Sequence, residues 1–184
     1  MQRISIVGSS GSGKTTLART VAERLDLPHL ELDSVYHQAD WQPMPDDELR
    51  VAVEPLAAQD RWVIDGNYTR TGVQDLIWNR ADTIVWLDLG RMTTMRRVTR
   101  RSISRSISGV ELWNGNKESW TNLFHPDPEI NIITWTWTRY AEVKDRYERA
   151  SIDPRWDAKD WLRLHSQRDI DGFVAALTPL ATPL

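Results

Sequence analysis

"GSSGSGKTT", residues 8–16, decides how the rest of this chain is read. It follows a short apolar run, "RISIVG", whose β-branched residues and closing Gly8 predict a buried strand. After it, Leu17, Ala18, Val21, Ala22 and Leu25 recur at helical spacing, predicting a helix over 13–25 that Pro28 forbids from running on. Gly8, Gly13, Lys14 and Thr15 thus match G-x-x-x-x-G-K-[ST] in its required context of strand, loop and helix. The glycines let successive backbone N–H groups turn inward as an anion nest, and the helix adds the positive end of its dipole. A polyphosphate is expected on Gly8, Ser9, Gly11, Ser12, Gly13, Lys14, Thr15 and Thr16. Lys14 would reach the β- and γ-phosphates of ATP, and the Thr15 hydroxyl would serve Mg²⁺.

Further strands are expected at 29–33, 61–66, 82–89 and 160–166, with helices at 46–59, 91–107, 135–149 and 169–177 and an irregular, proline-containing stretch at 109–130. Strands alternating with helices give an α/β, P-loop NTPase fold with a parallel sheet covered on both faces. Ligands in such sheets lie at the carboxyl ends of the strands, where Gly8, Asp33, Asp65, Asp88 and Ser166 fall. One domain over 1–184 is expected: a nucleotide-binding core from 1–89 and 150–184, and a lid with its flanking helices from 90–149.

Composition narrows the classes. The formal net charge of -3 argues against a generally basic nucleic-acid binder. The absence of Cys removes disulfides and thiolate zinc sites and suits a reducing cytoplasm. The opening residues are too short an apolar run for a signal peptide, and nothing reaches the ~20 apolar residues that span a bilayer. "NKES", residues 116–119, ends in Ser where a guanine-reading motif needs Asp, and no transporter signature is present.

Two apolar strands end in an acid, "VID" at Asp65 and "VWLD" at Asp88. Such an acid orients Mg²⁺ directly or through water, and Asp65 is favoured because Gly66 leaves backbone room beside the phosphates. Asp33 has two readings: it orients or deprotonates a phosphoryl acceptor, or it caps the segment after it. Arg97, Arg101 and Arg105 share one face of the basic helix at i, i+4, i+8, and guanidinium forks suit transferring phosphoryl charge. Ten tryptophans are many for this length. Those of the middle segment either pack a lid or stack an acceptor. Trp113 with Asn114 and Asn116 is the favoured ligand group, and Trp135 and Trp137 are expected in the core.

"GSSGSGKTTLA", "HLELDSVY", "WVIDGNYTRTGVQ" and "ADTIVWLDL" together resemble the adenylate-kinase-like small P-loop kinases, and among these the bacterial group labelled topology modulation proteins. That resemblance implies five parallel strands in the order 2-3-1-4-5 with an arginine- and tryptophan-rich lid insertion. The family's third strand ends D-G-F-P-R-T with a Gln soon after. Here Asp65, Gly66, Asn67, Tyr68, Thr69 and Arg70 stand there, followed by Gln74. The resemblance implies Asp65 for the metal shell, Arg70 for an acceptor phosphate and Gln74 for an acceptor base. It also implies Arg97 and Arg101 as lid arginines and Arg168 in the loop that holds the adenine.

The leading expectation is transfer of the ATP γ-phosphate to a small acceptor, a nucleotide or nucleoside first. Catalysis would rest on Lys14, Asp33, Asp65, Arg97 and Arg101, and acceptor binding on Asp33, Arg70, Gln74, Trp113 and Asn114. Two alternatives stand beside it: an ATP-binding regulator or nucleic-acid-associated protein with weak hydrolysis, and a kinase acting on a hydroxyl acceptor.

Overall fold

A computed structural model describes residues 1–69, 72–128 and 130–178. Its centre is β1 (Arg3–Gly8), from which the loop of 9–13 leads into α1 (Lys14–Leu25). β2 (His29–Glu31), α2 (Leu32–Tyr36), α3 (Asp46–Ala57), β3 (Trp62–Asp65), α4 (Val73–Arg80) and β4 (Thr83–Leu87) complete the first half. α5 (Arg91–Ser108), α6 (Trp120–Leu123), α7 (Ile132–Ala150), β5 (Asp160–Leu164) and α8 (Gln167–Ala176) follow. All strand pairings are parallel, in the order β2-β3-β1-β4-β5, as the resemblance implied.

The sheet is buried on both faces, so its central strands are continuous apolar runs rather than alternating ones. On one face Leu17, Val21 and Leu25 of α1 pack with Leu164 and Ile170. On the other, Trp62, Trp78, Trp86 and Trp156 form an aromatic core with Tyr147, the Trp78 ring standing edge-on to Trp156 and Trp161. The buried tryptophans thus come mainly from the sheet and the elements packed on it, not from the segment between α5 and α7.

The structure departs from the sequence reading in four places. β2 ends at Glu31, and Asp33 lies in the first turn of α2 instead of closing a strand. α4 was not expected: it has no Ser, Thr, Asp or Asn cap, and its start is a left-handed Gly72. The stretch 109–130 contains α6 and a tight loop. Trp135 and Trp137 lie on α7 outside both cores; Trp137 is 46% exposed, with the Arg91 guanidinium 3.5 Å over its ring. Its amphipathic ring is served by a cation on one side and water on the other, which a core site would deny it.

Candidate active site

At the carboxyl edge of the sheet, Gly8 leaves β1 at φ 144°, where a Cβ would come within 2.6 Å of the Leu87 carbonyl oxygen. Gly11, at φ 79°, lies against α5, where a Cβ would meet the Thr94 carbonyl at 2.8 Å. Only glycine fits either place. Gly13 caps α1 without any side-chain acceptor, so the first N–H groups of the helix are left facing the loop's hollow. Lys14 folds along the loop, its Nζ donating to the carbonyls of Gly8 at 3.0 Å and Ser9 at 3.2 Å. Burial lowers its pKa, while Asp33 and Asp65 pull the other way.

Thr15 sits between two carboxylates. Its hydroxyl lies 3.0 Å from Glu31 Oε1 and 3.0 Å from Asp65 Oδ1, although it has one proton to give. Two acids converging on one hydroxyl form an all-oxygen donor set that fits Mg²⁺. Asp65 is 2% exposed, and its second oxygen meets His29 Nε2 at 2.8 Å. Asp88, the other candidate acid, is engaged elsewhere. Its Oδ2 takes the Arg163 fork at 2.6 and 2.9 Å, with His165 at 3.4 Å and Lys144 at 3.9 Å.

The arginine face of α5 points into the cleft. Arg97 donates to the Ser12 carbonyl at 3.1 Å and to Gln167 at 2.8 Å. Arg101 reaches Ser10 Oγ at 3.4 Å, and its Nε, buried, has no partner. Burial and the neighbouring Arg105 lower its pKa. Arg105 is held by Glu118 at 2.8 Å. From α7, Arg139 and Arg146 line the same cleft, each bonded to Glu142.

Across the cleft from the loop stand Asp33, Tyr36, His37, Trp41, Tyr68 and Trp113. Tyr68 donates to Asp33 Oδ1 at 2.6 Å, and burial beside that carboxylate pushes the phenol pKa up, so it stays a donor. Trp113 stacks on His37 at 5.9 Å and gives its Nε1 proton to Glu31 Oε2 at 3.3 Å.

This wall is closed by two loops of the same shape. An antiparallel bridge joins His37 to Pro43, and another joins Glu111 to Lys117. In each, the second residue's N–H bonds the sixth residue's carbonyl (Gln38 to Gln42, Leu112 to Asn116), and the fourth and fifth residues are left-handed (Asp40 and Trp41, Asn114 and Gly115). The loops then lock together. Asn116, 4% exposed, accepts from the Trp41 N–H at 2.8 Å and donates to the Gln38 carbonyl at 2.8 Å. Asn114 donates to the carbonyls of His37 at 2.6 Å and Ser34 at 3.3 Å.

Several expected site residues are therefore used differently. Asn114 and Asn116 are latches between loops, their amides spent on backbone groups. Gln74 lies on the buried face of α4 with both amide atoms unpartnered, and it does not line the cleft. Arg168 is exposed on α8 and off the cleft, whose wall there is Gln167, Ile170 and Asp171. Arg70 lies outside the described residues.

The sequence reading missed Glu31, His29, Asn67 and Tyr147. His29 and Glu31 had a usable signal, since residues two apart in a strand share a face. Asn67 stood in plain view after Asp65 and Gly66. Its partner, Tyr147, comes from a helix 80 positions on, and no local pattern announces it.

No family model matches the chain. A stretch of 46 residues is 37% identical to the shikimate kinase of Enterococcus faecalis, covering 25% of this chain and 27% of that enzyme. The match thus spans about a quarter of that curated relative. Among solved structures, the chain is similar to a shikimate kinase from Acinetobacter baumannii in complex with shikimate (TM-score 0.60, 16% identity, 95% of this chain and 89% of the other). It is also similar to a shikimate kinase from Bacteroides thetaiotaomicron (0.55, 17%, 95% and 94%) and a gluconokinase from Sinorhizobium meliloti 1021 (0.52, 18%, 95% and 91%). The fold is that of a small P-loop kinase. The adenylate-kinase-like resemblance holds at that coarser level.

Proposed function

We propose that this chain is an ATP- and Mg²⁺-dependent kinase whose acceptor is a hydroxyl group on a small polar molecule, of the kind that a sugar acid carries. The observation that carries the reading is the placement of Asp33. It lines the same cleft as Lys14, where its charge opposes the lowering that burial imposes on that amine's pKa, and Tyr68 holds one of its oxygens in place. A carboxylate in that position suits proton removal from a hydroxyl better than recognition of an anionic phosphate acceptor. The names of the neighbours, shikimate kinase and gluconokinase, support the same choice. A hydroxyl acceptor therefore replaces the nucleotide that the sequence reading placed first, since Gln74 is turned away from the cleft. The D-G-N-Y turn of residues 65–68, which carries the resemblance to the topology modulation group, is compatible with this chemistry.

In the proposed reaction the acceptor oxygen attacks the γ-phosphorus in line. Its proton passes to Asp33 and the bond from the γ-phosphorus to the bridging oxygen of ADP breaks. Lys14, Arg97 and Arg101 face the charge that spreads over the transferring group. Thr15, Glu31 and Asp65 would hold Mg²⁺, which neutralises the β- and γ-oxygens when bound. Residues 90–149 form the lid with its flanking helices, and the loop at 111–117 covers the acceptor wall and excludes water.

The nucleic-acid alternative is weakened by the arginines themselves. Arg97, Arg101 and Arg105 line the cleft and are bonded there to Ser12, Ser10 and Glu118, not displayed together on an outer face. The test is ADP formation from ATP·Mg²⁺ with sugar acids, neutral sugars, nucleosides and nucleoside monophosphates in turn, with Lys14→Ala as the blank. Stimulation by a hydroxyl acceptor is expected. Stimulation by a nucleoside monophosphate alone would restore the nucleotide acceptor, and a rate indifferent to every acceptor would leave a nucleotide-binding regulator.

A further inference from the structure

Gly8 opens the phosphate loop, and its backbone is read by one side chain. The Gly8 N–H donates to Asn67 Oδ1 at 3.3 Å, and Asn67 Nδ2 donates to the Gly8 carbonyl at 2.5 Å. The two bonds fix the orientation of the amide, because the N–H can only donate and the carbonyl can only accept. Tyr147 then donates its hydroxyl proton to the same Oδ1 at 2.7 Å. Both acceptor positions of Oδ1 are filled. Both of the Gly8 carbonyl are filled as well, the second by Lys14 Nζ at 3.0 Å. Tyr147 is fully buried, its ring set between Trp78 and Trp86, and it comes from α7, which also carries Arg139 and Arg146 on the cleft. Burial raises its pKa, so the hydroxyl stays a donor at any pH of interest.

We infer that Asn67 and Tyr147 are positioning residues for nucleotide binding, Tyr147 acting through Asn67 and Asn67 through the Gly8 peptide to set the start of the phosphate loop. This rests on the reading of that loop as the nucleotide's site. Physically, the Gly8 carbonyl is shared. When Lys14 turns from it toward phosphate, Asn67 keeps it satisfied, so the loop does not have to rearrange to free the amine. Without the amide, Lys14 leaves a buried carbonyl unpaired each time it engages a phosphate, and nucleotide affinity falls.

The test uses the full chain and ADP·Mg²⁺ by calorimetry, with ATP and acceptor KM values measured alongside. Asn67→Leu keeps the branched shape and removes the amide; about a tenfold loss of nucleotide affinity is expected, with acceptor KM unchanged. Tyr147→Phe keeps the ring between the two tryptophans and removes only the hydroxyl; about a threefold loss is expected. The double variant should bind no more weakly than Asn67→Leu alone, because the hydroxyl that Tyr147→Phe removes is bonded to Asn67. If Asn67→Leu does not fold, Tyr147→Phe carries the test. Nucleotide affinity unchanged in the variants, with only thermal stability reduced, would overturn the inference, as would a double variant whose loss is the product of the single ones. Wild-type protein that binds ADP·Mg²⁺ but turns over no acceptor would remove the kinase reading and leave this inference standing. Wild-type protein that binds no nucleotide would overturn both.

Discussion

The two sides of the cleft are built on different principles. On the phosphate side, geometry is set mainly by backbone, with one side-chain brace from Asn67 and Tyr147: three glycines at positive φ, an uncapped helix start, and Asp65 at the end of a buried strand. On the acceptor side, it is set by side chains from distant segments: a tyrosine holding Asp33, a tryptophan stacked on a histidine, and two loops locked by Asn114 and Asn116. The first kind of site tolerates little change at a few positions. The second can be re-lined residue by residue, which is how related folds come to serve different acceptors.

That contrast can be broken or sharpened by experiment. The largest effect is expected from Lys14→Ala, which removes the cation facing the transferring charge; phosphoryl transfer should fall by about three orders of magnitude. Next comes Asp33→Asn. If the two sides divide the work as described, kcat should fall about a hundredfold or more while ADP·Mg²⁺ affinity is retained. An equal loss of nucleotide affinity would mean that Asp33 belongs to the phosphate side. Asn116→Ala should raise acceptor KM about tenfold and leave ATP KM near wild type, because it unpairs the Trp41 N–H and the Gln38 carbonyl and frees one loop from the other. A matching rise in ATP KM would show that the loops serve both substrates.

The smallest effect concerns pH. Burial holds the His37 imidazole below its ordinary range, against the pull of Asp33. The folded chain favours the neutral ring, so the unfolded chain takes up the proton first as pH falls. Stability from this site is present above the unfolded pKa of about 6.5 and is lost as pH drops below it. Thermal melts should show a smaller drop between neutral and mildly acidic pH in His37→Gln than in wild type. An identical drop would place the acid sensitivity elsewhere.

The same contrast explains what the sequence disclosed. The phosphate loop and the central strands were legible because they depend on local spacing: G-x-x-x-x-G-K-T, and apolar runs ending at Gly8 and Asp65. Of the two strand-end acids that the sequence offered, Asp65 lies against Thr15 and Asp88 is bound to Arg163. Glu31 escaped notice because β2 was drawn too long, which gave its strand-end position to Asp33. The paired loops could not be read at all. "QADWQ" and "LWNGN" share no pattern beyond residues that tolerate a left-handed backbone, and Trp41 adopts one at φ 58° against its own preference. What holds that residue there is an asparagine 75 positions away. Asn114 misled for the same reason: an amide near a tryptophan suggests a ligand, and only the facing loop reveals that its protons are committed to carbonyls.

The most direct measurement is the ³¹P spectrum of the product formed from ATP·Mg²⁺ and the best acceptor. A phosphate monoester on a hydroxyl oxygen is expected, formed together with ADP and about a hundredfold more slowly in Asp33→Asn. A product whose new bond is a phosphoanhydride would contradict it and make the acceptor a phosphate.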